Sequence, residues 1–237
     1  MNTKVLVAFA LKDEFTPWRR RHRFHSIAPS VFEATMGAAQ VCVALAGAGA
    51  PDAGRVQNLT AQFAPTLGIV TGVAAGLKPE WRTGDLLVAE AVSSPRGGEK
   101  ILCDPNLLAL AVQCGAKRAA TLVTLPHIAR TLEEKVRLSG FGEAADMESL
   151  PLVKHWSSCG IPALALRVIL DPVEMPMTCD FEAAMDAHGQ VRITAILAQL
   201  ARRPQLLPDF LRLARQSRRD LRILADFLDR FVENLAR

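Results

Sequence analysis

The sequence predicts an α/β domain, with helices layered on a mostly parallel sheet. Short apolar runs of strand length alternate with segments of helical character along the chain. Half of the 237 residues are hydrophobic, enough to bury a large core in one domain. No internal repeat or low-complexity stretch interrupts the alternation.

The elements follow in order. "KVLVAFAL" (4–11) is a near-continuous apolar run, as in a strand buried on both faces. "VFEATMG" and "QVCVALAG" flank Gly37-Ala38-Ala39 and predict a hairpin. Gly47 and Gly49 lead into a helix from about Asp52 to Phe63. "TLGIVTG" is a buried strand, "VAAGLKPEWRTGD" a loop, and "LLVAEAVS" resumes extended structure. "PNLLALAVQCG" is helical and "AATLVTL" a strand. "TLEEKVRL" is a helix with Thr131 as N-cap and Glu134 completing a capping box. "MESLPLVKHWSSCG" is a helix ending at Gly160, with Pro151 tolerated in its first turn. "PALALRVIL" is the final core strand, and from about Gln190 the chain is helical, broken by Pro204 and Pro208. The whole of 1–237 is expected to form one domain, with 186–237 as an Arg-rich helical appendage.

Charge and cysteines narrow the function classes. The net charge of +4 sits in residues 186–237, which carry ten Arg, no Lys and six acids. A surplus that small does not indicate nucleic-acid binding. "RRRHRFH" (19–25) is a solvated helix end, and His155 and His188 are surface residues. His22 and His25 lack clustered Cys, Asp or Glu, so no metal is expected. Five scattered cysteines without a C-x-x-C pair suit reduced cytosolic thiols. With neither an 18-residue apolar run nor a signal-peptide cleavage site, a cytoplasmic location is expected. "GAGAPDAG" has Asp52 where a dinucleotide fingerprint needs its third glycine, and no Walker loop or Ser-His-Asp set appears, so no cofactor is expected.

Acids sit where the apolar runs end. "VLVAFALKDE" ends in Asp13 and Glu14, "ALALRVILD" in Asp171, and "AADMESLPL" (144–152) places Asp146 and Glu148 around Met147. In open α/β sheets ligands bind beyond the carboxyl ends of the strands, so three segments deliver carboxylates to one edge. Such a set supplies a general base for water, a clamp for a vicinal diol and an acid for a leaving group. That combination suits cleavage of an N-glycosidic bond, whose transition state is cationic at the sugar.

Four motifs in order resemble the nucleoside phosphorylase/nucleosidase superfamily, in particular the 5'-methylthioadenosine/S-adenosylhomocysteine nucleosidases. They are "ALKDEF", "AGAG" (46–49), "VTGVAAGLKPEWRTGDLLVAE" (70–90) and "ADMES…ALRVILD" (145–171). The resemblance implies a three-layer α/β/α sandwich of the nucleoside phosphorylase type, with a mixed central sheet and extra C-terminal helices. It further implies that Glu14 activates water, that Glu148 grips the ribose hydroxyls with Met147 against the sugar, and that Asp171 protonates the purine at N7. By the same likeness Ala48, Ala74, Ala75 and Asp146 line the pocket, and Arg167 stands near Asp171. A homodimer is the default by resemblance.

The sequence also departs from that pattern. Val73 stands where the family often has a hydroxyl residue that helps hold phosphate, and the Gly-Asp-Pro phosphate loop is replaced by "ALKDEF". Both departures favour water as nucleophile. The acid-plus-aromatic loop before the purine is replaced by "TLPHIART", leaving His127 and Ile128 as candidates for the base contact.

The pattern "RRP-x-x-LP-x-x-L-x-L-x-R-x-SRR-x-L" resembles the hopanoid-associated nucleosidases, which implies adenosylhopane as substrate. The segment "SSPRGGEKILCDP" is short, which suits a pocket open at its 5' end. Leu207, Phe210, Leu211 and Ala214, then Leu221, Leu224, Phe227, Leu228 and Phe231, recur at helical spacing. Such a stripe packs on the domain or a twin subunit, or receives a lipid or lies peripherally on a membrane. The alternatives that stay open are phosphorolysis, action on methylthioadenosine or S-adenosylhomocysteine, and nucleoside or lipid binding without turnover.

Overall fold

The structure is a computed structural model, and it describes residues 3–48, 53–95, 98–175, 180–181, 183–186 and 191–235. Strand β1 (Thr3–Phe9) leads to helix α1 (Lys12–Arg19), then to β2 (His25–Ala28), β3 (Val31–Met36) and β4 (Ala39–Leu45). Helix α2 (Ala53–Phe63) precedes β5 (Leu67–Gly76), β6 (Leu86–Ala89), β7 (Ala91–Ser93) and β8 (Lys100–Leu102). Next come α3 (Pro105–Gln113), β9 (Lys117–Ala119), β10 (Leu122–Thr124), α4 (Leu132–Leu138), β11 (Ala144–Asp146), α5 (Ser149–Ser158) and β12 (Ala163–Asp171). The chain ends in α6 (Ile193–Arg202), a 3-10 turn (Pro204–Leu206) and α7 (Leu207–Leu235).

The fold is α/β around one mixed sheet. Its main path runs β2-β3-β4-β1-β5-β11-β10-β7-β8, and β12 branches off β5 to carry β6 and β9. β1 pairs parallel with β4 and β5, and β12 pairs parallel with β5. The mostly parallel arrangement expected from alternation holds for the central set β4-β1-β5-β12, while β11 against β5 and β6 against β12 are antiparallel and make the sheet mixed. β2 and β8, whose "HSIA" and "KIL" lack a buried apolar run, add further antiparallel pairs at the two ends of the main path. The helices form two groups. One joins α2 and α5 over β5, while α7 contacts α1, α3, β12 and β5 in the other.

Several elements differ from expectation in extent. β5 continues through "VAAG" to Gly76, because that segment still pairs with β11 and β12. "AATLVTL" is two strands, β9 and β10, which join different partners. The hairpin at Gly37 forms with Met36 opposite Ala39, and Gly37 takes φ of 57° at the turn. Thr131 does cap α4 by accepting from Glu134 N–H, but Glu134 reaches back to Arg130 N–H instead of closing the reciprocal box. Pro208 does not break the final helix, since it lies in the first turn of α7, where a missing N–H costs nothing.

Helix α7 has two unlike halves. Leu221, Leu224, Phe227, Leu228, Phe231 and Val232 are buried in the main core, and each contributes about 1.5–3 kcal/mol by leaving water. Leu207 and Leu211 remain exposed, at 45% and 41%. The basic run at the end of α1 meets this helix. Arg21 pairs with Asp226 and Asp229, His22 lies 2.6 Å from Asp229, and Trp18 Nε1 donates to Asp229 at 2.6 Å. These residues therefore clamp α1 to α7, where a solvated end was expected. His188 and Cys179 lie outside the described residues.

Candidate active site

Helix α1 delivers Glu14 to the interior. Phe15 packs against Phe24 at 4.9 Å, Phe32 at 5.2 Å and Phe9 at 5.5 Å between ring centroids, fixing the first turn of α1 on the sheet. Glu14 therefore sits in a helix start, and its neighbour Asp13 faces solvent. The Glu14 carboxylate accepts from Leu11 N–H and Val73 N–H, each at 2.9 Å. Burial pushes its pKa up from the ordinary value, opposed by the Arg167 guanidinium and these backbone donors. The carboxylate fits because residue 72 is Gly: a Cβ there would stand 2.5 Å from Glu14 Oε1. Gly72 also takes φ of +143°, which L side chains rarely adopt.

Arg167 joins the second pair of acids to the first. It is fully buried on β12 and sits opposite Gly72 of β5. Its Nη2 donates to Asp146 Oδ2, to Glu148 Oε2 at 3.3 Å and to Ser149 Oγ at 3.1 Å. Burial alone would lower the pKa of Arg167, and the charges of Asp146, Glu148 and Glu14 outweigh it. Asp146 also accepts from Thr124 Oγ1 at 2.8 Å and from Ser149 N–H at 3.1 Å. The protein thus occupies both Asp146 oxygens, which makes it an anchor for Arg167 and the start of α5. Glu148 is buried beside it, and Met147 between them is partly exposed. Arg167 Nε and Nη1 have no hydrogen-bond partner among the described residues.

Asp171 ends β12, four residues beyond Arg167. It pairs with Ala75 after a register shift between Ile169 and Asp171. Burial raises its pKa, against the opposing charge of Lys135, whose Nζ is 2.7 Å from Asp171 Oδ1. The other oxygen, Oδ2, is buried without a hydrogen-bond partner among the described residues.

The backbone brings the segments that carry these acids beside one short piece of β5. Glu14 takes the N–H of Val73, Asp171 lies opposite Ala75, and Asp146 follows Ala145, which also pairs with Ala75. At ~3.3 Å per residue, Gly72 to Ala75 span about 10 Å, within reach of one nucleoside-sized molecule. Val73 contributes its backbone here, Ala74 is buried and Ala75 partly so. Ala48 is buried at the end of the described segment after β4. His127 is half exposed and bound to Glu134 at 2.7 Å on the outer side of α4, and Ile128 beside it is partly buried. His127 is thus paired with a carboxylate of α4, and no described contact brings it to the acids.

Two positively charged residues of the site are not among the acids that the strand ends advertise. Arg167 was noted for its proximity to Asp171, whereas its contacts are with Asp146 and Glu148. Lys135 lies within an ordinary amphipathic helix pattern, "LEEKVRL", and nothing in that pattern marks it as buried. Among the described residues no group of three His, Cys, Asp or Glu is arranged to hold a metal ion.

The family described as the phosphorylase superfamily matches residues 5–202. Comparison with curated proteins finds no match. Among solved structures, the fold is similar to Campylobacter jejuni 5'-methylthioadenosine/S-adenosyl homocysteine nucleosidase. The TM-score is 0.74 at 17% identity, covering 98% of this chain and 99% of that one. Helicobacter pylori futalosine hydrolase gives a TM-score of 0.73 at 16% identity, with 99% of each chain covered. The H. pylori nucleosidase MTAN gives 0.72 at 16%, covering 98% and 100%.

Proposed function

The chain belongs to the phosphorylase superfamily and is an enzyme of that family, and from this premise we propose that it is a purine nucleosidase. In this reading it hydrolyses the N-glycosidic bond of a 5'-substituted adenosine and releases adenine. What supports the proposal is that Glu14 is bonded to Val73 N–H, Asp171 lies opposite Ala75 on the same strand, and Arg167, opposite Gly72, holds Glu148.

The chemistry follows from those positions. Glu14 takes a proton from water, and the water oxygen bonds to C1'. The C1'–N9 bond breaks with its electron pair passing to the purine. Asp171, reaching the base through Oδ2, gives N7 the proton that makes adenine a neutral leaving group. Glu148 accepts from the ribose hydroxyls, with Met147 against the sugar. Carboxylates near C1' stabilise the cationic sugar of the transition state. Three carboxyl groups surround one guanidinium, an environment that repels phosphate and supports water as nucleophile.

The favoured substrate is adenosylhopane, with its bulky apolar 5' group. Gln216 Nε2 of α7 donates to Leu170 O at 2.7 Å, next to Asp171. Leu211 precedes Gln216 by five residues, roughly 7.5 Å of helix. Leu207, Pro208 and Leu211, flanked by Arg212 and Arg215, line an open groove of about 460 Å³ on this helix, whose apolar part suits a polycyclic substituent. The same surface could rest on a membrane, since the substrate is a lipid, although no described helix is long and apolar enough to cross one.

One incubation series tests the proposal. The enzyme is given methylthioadenosine, S-adenosylhomocysteine and a hydrophobic 5'-alkyl adenosine, and adenine is followed with and without phosphate. Phosphate-independent release, fastest from the alkyl substrate, is expected. Release that needs phosphate would make the enzyme a phosphorylase, and purine binding without turnover would make it a binding protein. Asp171→Asn is the sharper companion variant, because Asp171→Ala would strand the buried Lys135. It should slow adenine release by about 100- to 10,000-fold, and unchanged turnover would remove the assignment of Asp171.

A further inference from the structure

Lys135 is fully buried on α4, a setting in which lysine is rare unless paired. Its ammonium has three donors and finds three acceptors: Asp171 Oδ1 at 2.7 Å, Pro172 O at 3.0 Å and Met175 O at 3.2 Å. Every donor is spent, so the nitrogen has one position. The position is set from both sides, by the Thr131 cap that starts α4 and by the turn in which Met175 N–H donates to Pro172 O at 3.0 Å.

The consequence falls on Asp171. A carboxylate turning about its last bond presents either oxygen to a ligand, and here that freedom is removed. Oδ1 is committed to Lys135, while Oδ2 is buried and has no partner among the described residues. Leaving such an oxygen unpaired costs about 1–3 kcal/mol or more, which a ligand donor at that point would recover. Two carbonyls and one carboxylate around one ammonium would also serve as a plain structural staple. A staple alone, however, does not account for the unpaired oxygen on the same carboxylate at the end of β12.

We propose that Lys135 is a positioning residue for leaving-group activation: it locks the Asp171 carboxyl so that Oδ2 alone faces the purine and delivers the proton to N7. The proposal rests on the nucleosidase reading above. It assigns Lys135 no contact with substrate. It also states a specificity rule: Lys135 matters only when the leaving group needs a proton.

The test compares two leaving groups on the full-length chain. Adenine in a 5'-alkyl adenosine departs with protonation at N7, whereas 4-nitrophenolate in 4-nitrophenyl riboside departs unaided. In Lys135→Gln, kcat for the adenosine substrate should fall on the order of 100-fold, the scale of a general acid that has lost its alignment. KM should stay within about threefold, and turnover of 4-nitrophenyl riboside should also stay within about threefold of the parent. Equal losses on both substrates would overturn the proposal and leave Lys135 a staple, as would an unchanged kcat for adenosine.

Should Lys135→Gln fail to fold, the paired change Lys135→Met with Asp171→Asn removes both charges and keeps a neutral, similarly sized pair. Its loss on the adenosine substrate should match that of Asp171→Asn alone, because Lys135 acts only through Asp171. A further loss of tenfold or so beyond the single variant would refute that dependence. Parent enzyme that releases 4-nitrophenol but no adenine would instead fault the purine assignment itself, which separates failure of the function from failure of the role given to Lys135.

Discussion

Replacing Gly72 by Ala tests whether the seat of Glu14 is as tight as the geometry requires. The new Cβ would lie 2.5 Å from Glu14 Oε1 and 2.8 Å from Arg167 Nη1, whereas ordinary van der Waals contact begins at 3.4 Å. The carboxylate must therefore retreat by about 0.9 Å, and a reacting group misplaced by about 1 Å costs on the order of 100-fold in rate. The same movement breaks the 2.9 Å bond from Val73 N–H. A hydrogen bond to a charged group contributes about 1.5–3 kcal/mol, and forcing Ala into φ of +143° adds roughly 1–3 kcal/mol. Adenine-release kinetics should show kcat down about 100-fold with KM within about threefold. Urea denaturation should show a loss of roughly 3–5 kcal/mol. Gly68→Ala is the control. Its Cβ would meet the Trp156 ring at 2.4 Å, far from the acids in contact terms, so it should lower stability and leave kcat per folded molecule unchanged. A Gly72→Ala enzyme with parental kcat would refute the placement of Glu14 at the reaction centre.

Arg167→Met should leave three buried carboxyl groups without their shared cation and cost about 3–5 kcal/mol, seen as a lower urea midpoint and loss of adenine release. Asp220 is buried on α7 with Oδ2 unpartnered, and burial pushes its pKa from 3.8 to about 6. A carboxyl whose folded pKa is raised binds its proton more tightly when folded. The stability it brings is full below about pH 4 and is lost as pH rises through about 6. That interval corresponds to about 3 kcal/mol, which solvent screening reduces to roughly 1–2 kcal/mol. Asp220→Asn should therefore melt higher than the parent at pH 8 and show no advantage at pH 4. For activity, Glu14 must be ionised to act as base, so its raised pKa should move the acid limb of kcat/KM above the ordinary value of 4.5. Glu14→Gln should abolish that limb together with turnover of adenosine substrates. Asp229→Asn should weaken the Trp18, Arg21 and His22 clamp and lower stability by about 1–2 kcal/mol, read by thermal melting.

The apolar runs made β1, β4, β5 and β12 legible, because strands buried on both faces carry their signal in local composition. The acids that follow β1 and β12 were legible for the same reason: a carboxylate at the end of a largely apolar run stands out. β2 and β8 were not, since exposed edge strands have no apolar face to display. The antiparallel entry of β11 beside β5 was equally hidden, being a three-residue strand whose direction depends on the loop that returns it. Lys135 and Arg167 illustrate a different limit. Their burial is set by partners 36 and 21 residues away, so no local pattern announces that these two cations are interior. Resemblance supplied roles for Glu14, Glu148 and Asp171, but which acid anchors an arginine and which faces outward emerged only from contacts in three dimensions.

Helix α7 carries one more implication. In its first third, Gln216 grips the strand that ends in Asp171; towards its C-terminal end, Asp226 and Asp229 hold the helix whose first turn carries Glu14. One continuous 29-residue rod thus touches both the strand that carries Asp171 and the clamp beyond the helix that carries Glu14. It lies wholly past residue 202, where the match to the superfamily stops. A chain cut at that boundary would keep Glu14, Asp146, Glu148 and Asp171 and lose the brace that joins their supports.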